Sequence, residues 1–255
     1  MKSFLYQITP LAILSLAACA TAQESKTLSK EDRAQLIMNV AAGSIDEGDP
    51  TGALISLSEV EEILPNSPQL HHLKALAYYY KKNLDTALAE SRKTVALQPG
   101  YSDGNNTLGK LLIDTGHYNE AVPYLTKAAN DPLYRDAYKA QTNLGILQYK
   151  LVNYSQAVHS LDRAIEMNPM MACAAYYYRG QIRLKNSLFE TAIRDFEKAT
   201  QKYCGNFEDA QFSIGIAYFR SKQYDLARKK FLEIQKLYPD SAMADKAMEQ
   251  LRYIP

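Results

Sequence analysis

Residues 142–169 read TNLGILQYKLVNYSQAVHSLDRAIEMNP, and the spacing of their small and large residues recurs along the chain. Gly145 is followed twelve residues later by Ala157, then by a large apolar residue and finally by a proline. Residues 106–132 and 212–239 repeat that order. Because proline cannot continue a helix without losing a hydrogen bond, each terminal proline marks the end of a helix. The recurrence indicates a protein built from helical repeats.

The pattern resembles the tetratricopeptide repeat (TPR). Small residues at fixed positions let the two helices of a repeat, A and B, approach closely, whereas large residues fill the space between neighbouring repeats. The resemblance implies an all-α fold, a right-handed superhelical solenoid of about six TPR repeats with a C-terminal capping helix. The predicted boundaries are 34–67, 68–101, 102–137, 138–172, 173–207 and 208–241 for the repeats and 242–255 for the capping helix.

The N-terminus has the pattern of an export signal. Lys2 precedes an apolar stretch from Phe4 to Leu16, which is too short to span a bilayer permanently. We therefore expect residues 1–18 to be a signal peptide.

The signal ends in a short motif, LAAC at residues 16–19, that resembles the lipobox of bacterial lipoproteins. The resemblance implies that the chain is cut before Cys19, that Cys19 is acylated, and that residues 19–33 form a lipidated tether. Since Ala20 follows the cysteine, it also implies sorting to the outer membrane, with the folded part on its periplasmic face. A plain signal peptide cleaved nearby, with Cys19 incidental, is the alternative.

Composition and motifs argue against nucleic acid and against catalysis. The 29 basic and 28 acidic residues nearly cancel, so no long-range field attracts DNA or RNA. The four histidines form no HExxH motif, and no CxxC, GxSxG, P-loop or GxGxxG motif is present. We predict a non-enzymatic protein with no metal, no cofactor and no small-molecule substrate.

Two cysteines fall within one predicted repeat. Cys173 opens helix A of repeat 5, and Cys204 closes helix B. Because the helices are antiparallel, both residues lie at the same end of the pair, and an oxidising periplasm would allow a disulfide. Two half-buried thiols that never meet are the alternative.

By analogy with the TPR family, the inward-pointing positions of the A helices line a concave groove. These residues are amphipathic and rich in aromatics, which suits a peptide or helix from a protein partner. A tight superhelix in which parts of this face cover each other is the alternative. The predicted groove residues are His72, Leu76, Tyr79, Tyr80, Asn106, Lys110, Ile113, Thr142, Ile146, Tyr149, Lys150 and Tyr177.

Two runs of three tyrosines, at 78–80 and 176–178, fall at different phases of the repeat. We predict that Tyr79, Tyr80 and Tyr177 face the groove. The first residue of each run should be packed, and Tyr178 should turn toward helix B or the next repeat.

Repeats 3 and 4 carry a more specific signal. They contain Asn105-Asn106, a two-residue extension at NDPLYRDA (130–137) and the tripeptide Asn143–Gly145. This region resembles the pilotin lipoproteins of type IV pili (the PilF/PilW/Tgl type). The resemblance implies an assembly factor whose lipid locates it at the outer membrane and whose groove binds secretin subunits.

Two other partner classes are consistent with an exported TPR protein. One is an adaptor for periplasmic cell-wall hydrolases or proteases, and the other is a component of outer-membrane protein assembly. The fold does not discriminate between them, because function resides in sites carried by a fold.

Overall fold

The computed structural model describes residues 28–205 and 207–255. This part of the chain is all-α and contains no strand, as predicted. Its helices pair as A and B in antiparallel order. They are α1 (Lys30–Asp46), α2 (Pro50–Ile63), α3 (Pro68–Tyr80), α4 (Leu84–Leu97), α5 (Ser102–Asp114), α6 (Tyr118–Ala129), α7 (Ala137–Lys150), α8 (Tyr154–Met167), α9 (Cys173–Lys185), α10 (Phe189–Ala199), a 3-10 turn (Lys202–Cys204), α11 (Glu208–Arg220), α12 (Tyr224–Leu237) and α13 (Ala242–Leu251).

The first helix begins earlier than the sequence pattern predicts. The predicted tether extends to residue 33, but α1 starts at Lys30. Ser29 caps the helix by accepting a hydrogen bond from the backbone N–H of Asp32. The negative charges of the acidic residues in the first turn interact favourably with the positive end of the helix dipole. This turn has no apolar side chain to pack, so it left no trace in the hydrophobic pattern.

Each turn between helix A and helix B contains one residue whose backbone adopts the left-handed conformation, with a positive φ angle. Gly48 and Gly116 take this conformation in repeats 1 and 3, and Lys82, Val152, Ser187 and Lys222 take it in the other four. These positions recur at intervals of 34, 34, 36, 35 and 35 residues. The interval of 36 spans the extension at residues 130–137.

Val152 is the least suited of these turn residues, because β-branched side chains clash with the backbone at its φ of 64°. Its side chain is 64% exposed, so little packing opposes a change. Val152→Gly should raise the free energy of unfolding by about 0.5–1 kcal/mol, the strain relieved minus the added freedom of the unfolded chain. Urea denaturation of the parent and the variant measures this difference in the free energy of unfolding. Val40→Gly, at an exposed position inside α1, should instead destabilise by about 1 kcal/mol.

The core repeats from one helix pair to the next. The glycine of helix A faces a large side chain of helix B, and a Cβ on Gly109, Gly145, Gly180 or Gly215 would lie within 2.6 Å of Leu125, Leu161, Phe196 or Phe231 respectively. At the C-terminal end, Ala247 of α13 joins the cluster around Phe231. The helix thereby covers an apolar face that the last repeat would otherwise expose.

Candidate partner-binding groove

Consecutive A helices contact one another along the solenoid, so α3, α5, α7 and α9 form one continuous face. A row of tyrosines lies on this face. The ring of Tyr149 in α7 lies 5.3 Å from that of Tyr178 in α9, and Tyr178 lies 5.3 Å from Tyr177, both at edge-to-face angles. We call Tyr79, Tyr149, Tyr177 and Tyr178 the tyrosine row.

Lys110 of α5 contacts Tyr79 of the tyrosine row, and its charge also acts on the hydroxyl of Tyr178. Its ammonium donates hydrogen bonds to the hydroxyl of Tyr79 at 2.6 Å and to the carboxylate of Asp114 at 2.7 Å. Burial would lower the pKa of Lys110, but these two hydrogen bonds outweigh burial and raise it. Burial, assisted by the charge of Asp114, raises the pKa of Tyr178. These shifts favour the charged form of Lys110 and the un-ionised form of Tyr178.

Amide side chains lie next to this cluster. Asn143 in α7 donates a hydrogen bond of 2.9 Å to the amide oxygen of Asn106 in α5. Both residues line a cavity of about 300 Å³, together with Lys110, Tyr138 and Met171. The arrangement combines apolar contact area with a few oriented polar groups, which is typical of a surface that binds a peptide.

Most of the predicted groove residues keep some exposure. Tyr80 and Lys150 are exposed, whereas Leu76, Tyr79, Asn106, Lys110, Ile146, Tyr149 and Tyr177 are half-buried. Tyr177 also packs against Phe207, with ring centres 4.8 Å apart, so it belongs partly to the interface between repeats.

The structure corrects the prediction for two groove residues, each only 8% exposed. Ile113 packs in the core of repeat 3. His72 packs edge-on against Tyr101, and burial lowers its pKa to about 4 despite the nearby charge of Asp103. Thr142 is equally little exposed but lines the cavity, and its hydroxyl donates to the carbonyl of Tyr138. Contacts with other helices bury Ile113 and His72, which periodicity within one repeat does not reveal.

Tyr178 contacts the ring of Tyr149 in α7 and packs in the cluster that contains Leu161 of α8, the helix B of repeat 4. The sequence predicts that it turns toward helix B or the next repeat, whereas it lies half-buried at the interface with the preceding repeat. The close approach of α9 to α7 brings it there. Asn143 and Met171, which line the cavity, were also missed as groove residues. Of the packed tyrosines, Tyr176 is buried as predicted, whereas Tyr78 is half-buried.

The residues that suggested the pilotin resemblance have structural roles here. Asn105 is buried and donates to the carbonyls of Pro99 and Tyr101, which holds the turn before α5. In the extension, Tyr134 donates a hydrogen bond of 3.0 Å to Asp103, and Asp131 accepts one from Ser102. The extension thus folds back onto the first turn of α5.

A buried carboxylate, that of Glu90, joins α3 and α4 in repeat 2. His71 contacts this carboxylate with one ring nitrogen and the carbonyl of Pro65 with the other. Burial alone would raise the pKa of Glu90, but the hydrogen bonds from His71 and Lys93 and the charge of Lys74 hold it below its usual 4.5.

The lowered pKa of Glu90 predicts an acid-sensitive repeat. A carboxyl whose pKa is lower in the folded state contributes stability above its unfolded pKa, and that contribution is lost as pH falls through the folded value. Unfolding followed by circular dichroism between neutral pH and pH below about 4 should show this loss. Glu90→Gln should be less stable at neutral pH, and its stability should fall less on acidification than that of the parent. Equal pH dependence of the two proteins would contradict the assignment.

The structure contains a disulfide between Cys173 and Cys204, which ties the first turn of α9 to the 3-10 turn after α10. Cys19 and the signal peptide lie outside the described residues. Within residues 28–205 and 207–255, no helix is both long and apolar enough to cross a membrane. The same residues contain no cluster of side chains suited to a metal ion.

The fold and the groove define a repeat scaffold of the kind typical of non-enzymatic proteins that bind protein partners. The chain belongs to the tetratricopeptide repeat family, whose model matches residues 106–169, 142–203 and 177–242, together more than half of the chain.

Within that family, the chain is related to type IV pilus biogenesis factors. It is 24% identical over 243 residues to the type IV pilus assembly protein PilF of Pseudomonas aeruginosa, covering 91% of this chain and 92% of that protein. The solved structure of P. aeruginosa PilF matches with a TM-score of 0.73 at 19% identity, over 86% of this chain and 98% of that one. PilW, described as a widely conserved type IV pilus biogenesis factor, matches with a TM-score of 0.76 at 20% identity, over 85% and 98%.

Proposed function

We propose that this protein is a pilotin, a non-enzymatic lipoprotein that binds secretin subunits of a type IV pilus and helps them assemble in the outer membrane. The similarity to a type IV pilus assembly protein along nine-tenths of both chains is the observation that carries this proposal. The tyrosine row and the adjoining cavity supply the contact surface, because rigid aromatic side chains contribute much of the binding energy at protein interfaces.

In this function the two ends of the molecule have separate tasks. Acyl chains on Cys19 hold the protein at the periplasmic face of the outer membrane, because each buried methylene contributes about 0.8 kcal/mol. The groove selects the partner. Binding therefore brings secretin subunits to the membrane in which the ring assembles.

The test is a gene deletion complemented with two forms of the protein, the parent and Cys19→Ser. Heat-resistant secretin multimers in outer-membrane fractions should be lost on deletion and restored by the parent protein. Cys19→Ser should restore the soluble protein but not multimers at the outer membrane. Unchanged multimers in the deletion strain would reject the pilotin function.

A pull-down with the lipidated protein identifies the partner directly. Secretin subunits should co-purify with it. Capture of a cell-wall hydrolase or an outer-membrane assembly component in their place would contradict the proposal, since these are the partner classes that the fold equally permits.

Tyr80 is the groove residue best suited to a clean substitution, because it is 54% exposed. Tyr80→Ala should weaken secretin binding by about 1–2 kcal/mol, the usual loss at an aromatic contact. The free energy of unfolding should change by less than about 0.5 kcal/mol. Tyr253→Ala, at an exposed position after α13, is the control and should bind normally. A pull-down titration measures both.

A further inference from the structure

Three successive A helices end on a basic residue. The last residues of α7, α9 and α11 are Lys150, Lys185 and Arg220. All three are exposed, and none forms a salt bridge with a described residue. We call these three residues the basic edge. The A helices are adjacent and parallel, so the basic edge runs along one side of repeats 4–6.

The basic edge borders the tyrosine row. Lys150 directly follows Tyr149 in α7, and the charge of Lys185 acts on the hydroxyl of Tyr149, where it opposes the rise in pKa that burial causes. Arg220 lies over the ring of Phe189 in α10, 5.6 Å from its centre, where a cation–π contact holds the guanidinium. An unpaired cation therefore lies beside aromatic surface in each of the three repeats.

Helix dipoles alone do not account for the basic edge. A cation at a helix C-terminus is favourable in any helix. Yet the equivalent last residues of α1 and α5 are Asp46 and Asp114, and that of α3 is Tyr80. Asp114 is paired with Lys110. Among the described A helices, only α7, α9 and α11 therefore end on a cation without a salt-bridge partner. Lys82, which follows α3, is a further cation without a salt-bridge partner among the described residues, and its ammonium lies 5.9 Å from the ring centre of Tyr79.

The spacing of the basic edge sets the spacing of a ligand. Packed helices lie about 8–10 Å apart, and an extended chain advances about 3.3 Å per residue. One repeat therefore corresponds to about three ligand residues. The side-chain amide of Asn143 donates to the amide oxygen of Asn106. The NH2 group of Asn106 and the amide oxygen of Asn143 are therefore left to pair with the backbone of a ligand. An extended ligand has such backbone groups available, whereas a helix does not.

We propose that repeats 4–6 bind an extended acidic segment of the partner, with carboxylates about three residues apart on the basic edge and apolar or aromatic side chains against the tyrosine row. This inference rests on the proposed function, in which the groove binds a protein, and it specifies the chemistry of the bound segment. Charge complementarity also predicts an affinity that falls with ionic strength.

The test uses synthetic fluorescein-labelled peptides and fluorescence anisotropy. The first peptide has aspartate at every third position with tyrosine and alanine between. The second has the same composition with its aspartates clustered at one end, and the third has lysine in place of aspartate. The first should bind most tightly, by about tenfold over the third, and its affinity should fall at high salt.

Charge reversal at Lys150 and Lys185 together should weaken binding of the first peptide about tenfold, since two exposed ion pairs are lost. The matched control reverses Lys127 and Lys229, exposed lysines on helices B. It should leave affinity unchanged. Circular dichroism verifies that both double variants are folded.

Three results would overturn the inference: equal affinity for the three peptides, no binding of the first, or binding that is indifferent to Lys150 and Lys185. The pilotin function is tested separately, by secretin multimers in the deletion strain. Normal dependence of multimers on the protein, combined with failure of the peptide test, would therefore reject the acidic segment alone.

Discussion

Replacing Asp195 with alanine is expected to lower the free energy of unfolding by about 3–5 kcal/mol, the usual cost of breaking a buried ion pair from one side. Asp195 is only 2% exposed. Its two carboxylate oxygens accept hydrogen bonds from Arg179 at 2.6 and 3.0 Å and from Arg183 at 2.8 Å. Without the carboxylate, both guanidinium groups lose their shared partner between α9 and α10.

The reason for the size of this effect is the burial of Arg179. Its side chain is largely covered, and only Asp162, which is partly exposed, would remain to pair with it. Burial would lower the pKa of Arg179, but the hydrogen bonds that it donates to Asp195 and Asp162 reverse this and raise the pKa. The charge therefore persists in the variant and remains poorly solvated.

Urea denaturation and hydrogen exchange of α9 and α10 measure the effect, since a solenoid can open one repeat at a time. Asp195→Asn keeps the shape of the side chain, so its free energy of unfolding should fall less than that of Asp195→Ala. Glu197→Ala, an exposed change two residues away, is the control and should stay within about 0.5 kcal/mol of the parent. A stable Asp195→Ala protein with normal exchange in both helices would contradict the expected result.

Phe231→Ala is expected to lower the free energy of unfolding by about 3–5 kcal/mol, because it removes a fully buried aromatic side chain and leaves a cavity. Phe231 has no exposed surface. Its ring fills the space that Gly215 leaves open and lies 5.7 Å from the ring of Phe212. The same cluster includes Ala247 of the capping helix.

The loss should spread to the end of the solenoid. Each repeat contacts only its neighbours, so a cavity under α13 weakens the cap as well as repeat 6. Hydrogen exchange should therefore rise in α11, α12 and α13 before it rises in α7 and α8. Leu232→Ala, at the adjacent and half-exposed position, is the matched control and should cost much less. Equal losses for the two variants would contradict the packing described here.

The repeat architecture could be predicted because its signals are local. Small residues such as Gly145 and Ala157, and prolines such as Pro169, act through contacts within one helix pair, and their spacing is visible in the chain. The pairing of Cys173 with Cys204 followed from the same antiparallel geometry. The start of α1 was missed because its first turn is polar.

The groove was less predictable, because its membership depends on contacts between repeats. His72 and Ile113 occupy inward positions but are buried by other helices, whereas Tyr178 packs against the preceding repeat through the approach of α9 to α7. No spacing within one repeat distinguishes these cases. The buried contacts of His71 with Glu90 and of Arg179 with Asp195 also leave no pattern, since each joins residues more than ten positions apart.

The amino-acid sequence by itself determined the all-α repeat fold, the number of helix pairs and the family. The reason is that the spacing of small and large residues, and the prolines that end helices, can be read from positions close together in the chain. Only the tertiary structure decided which tyrosines form one row, which inward residues are covered, and that the unpaired cations of repeats 4–6 share one edge. The physical reason is the close packing of consecutive A helices, which sets exposure and charge pairing between residues about one repeat apart.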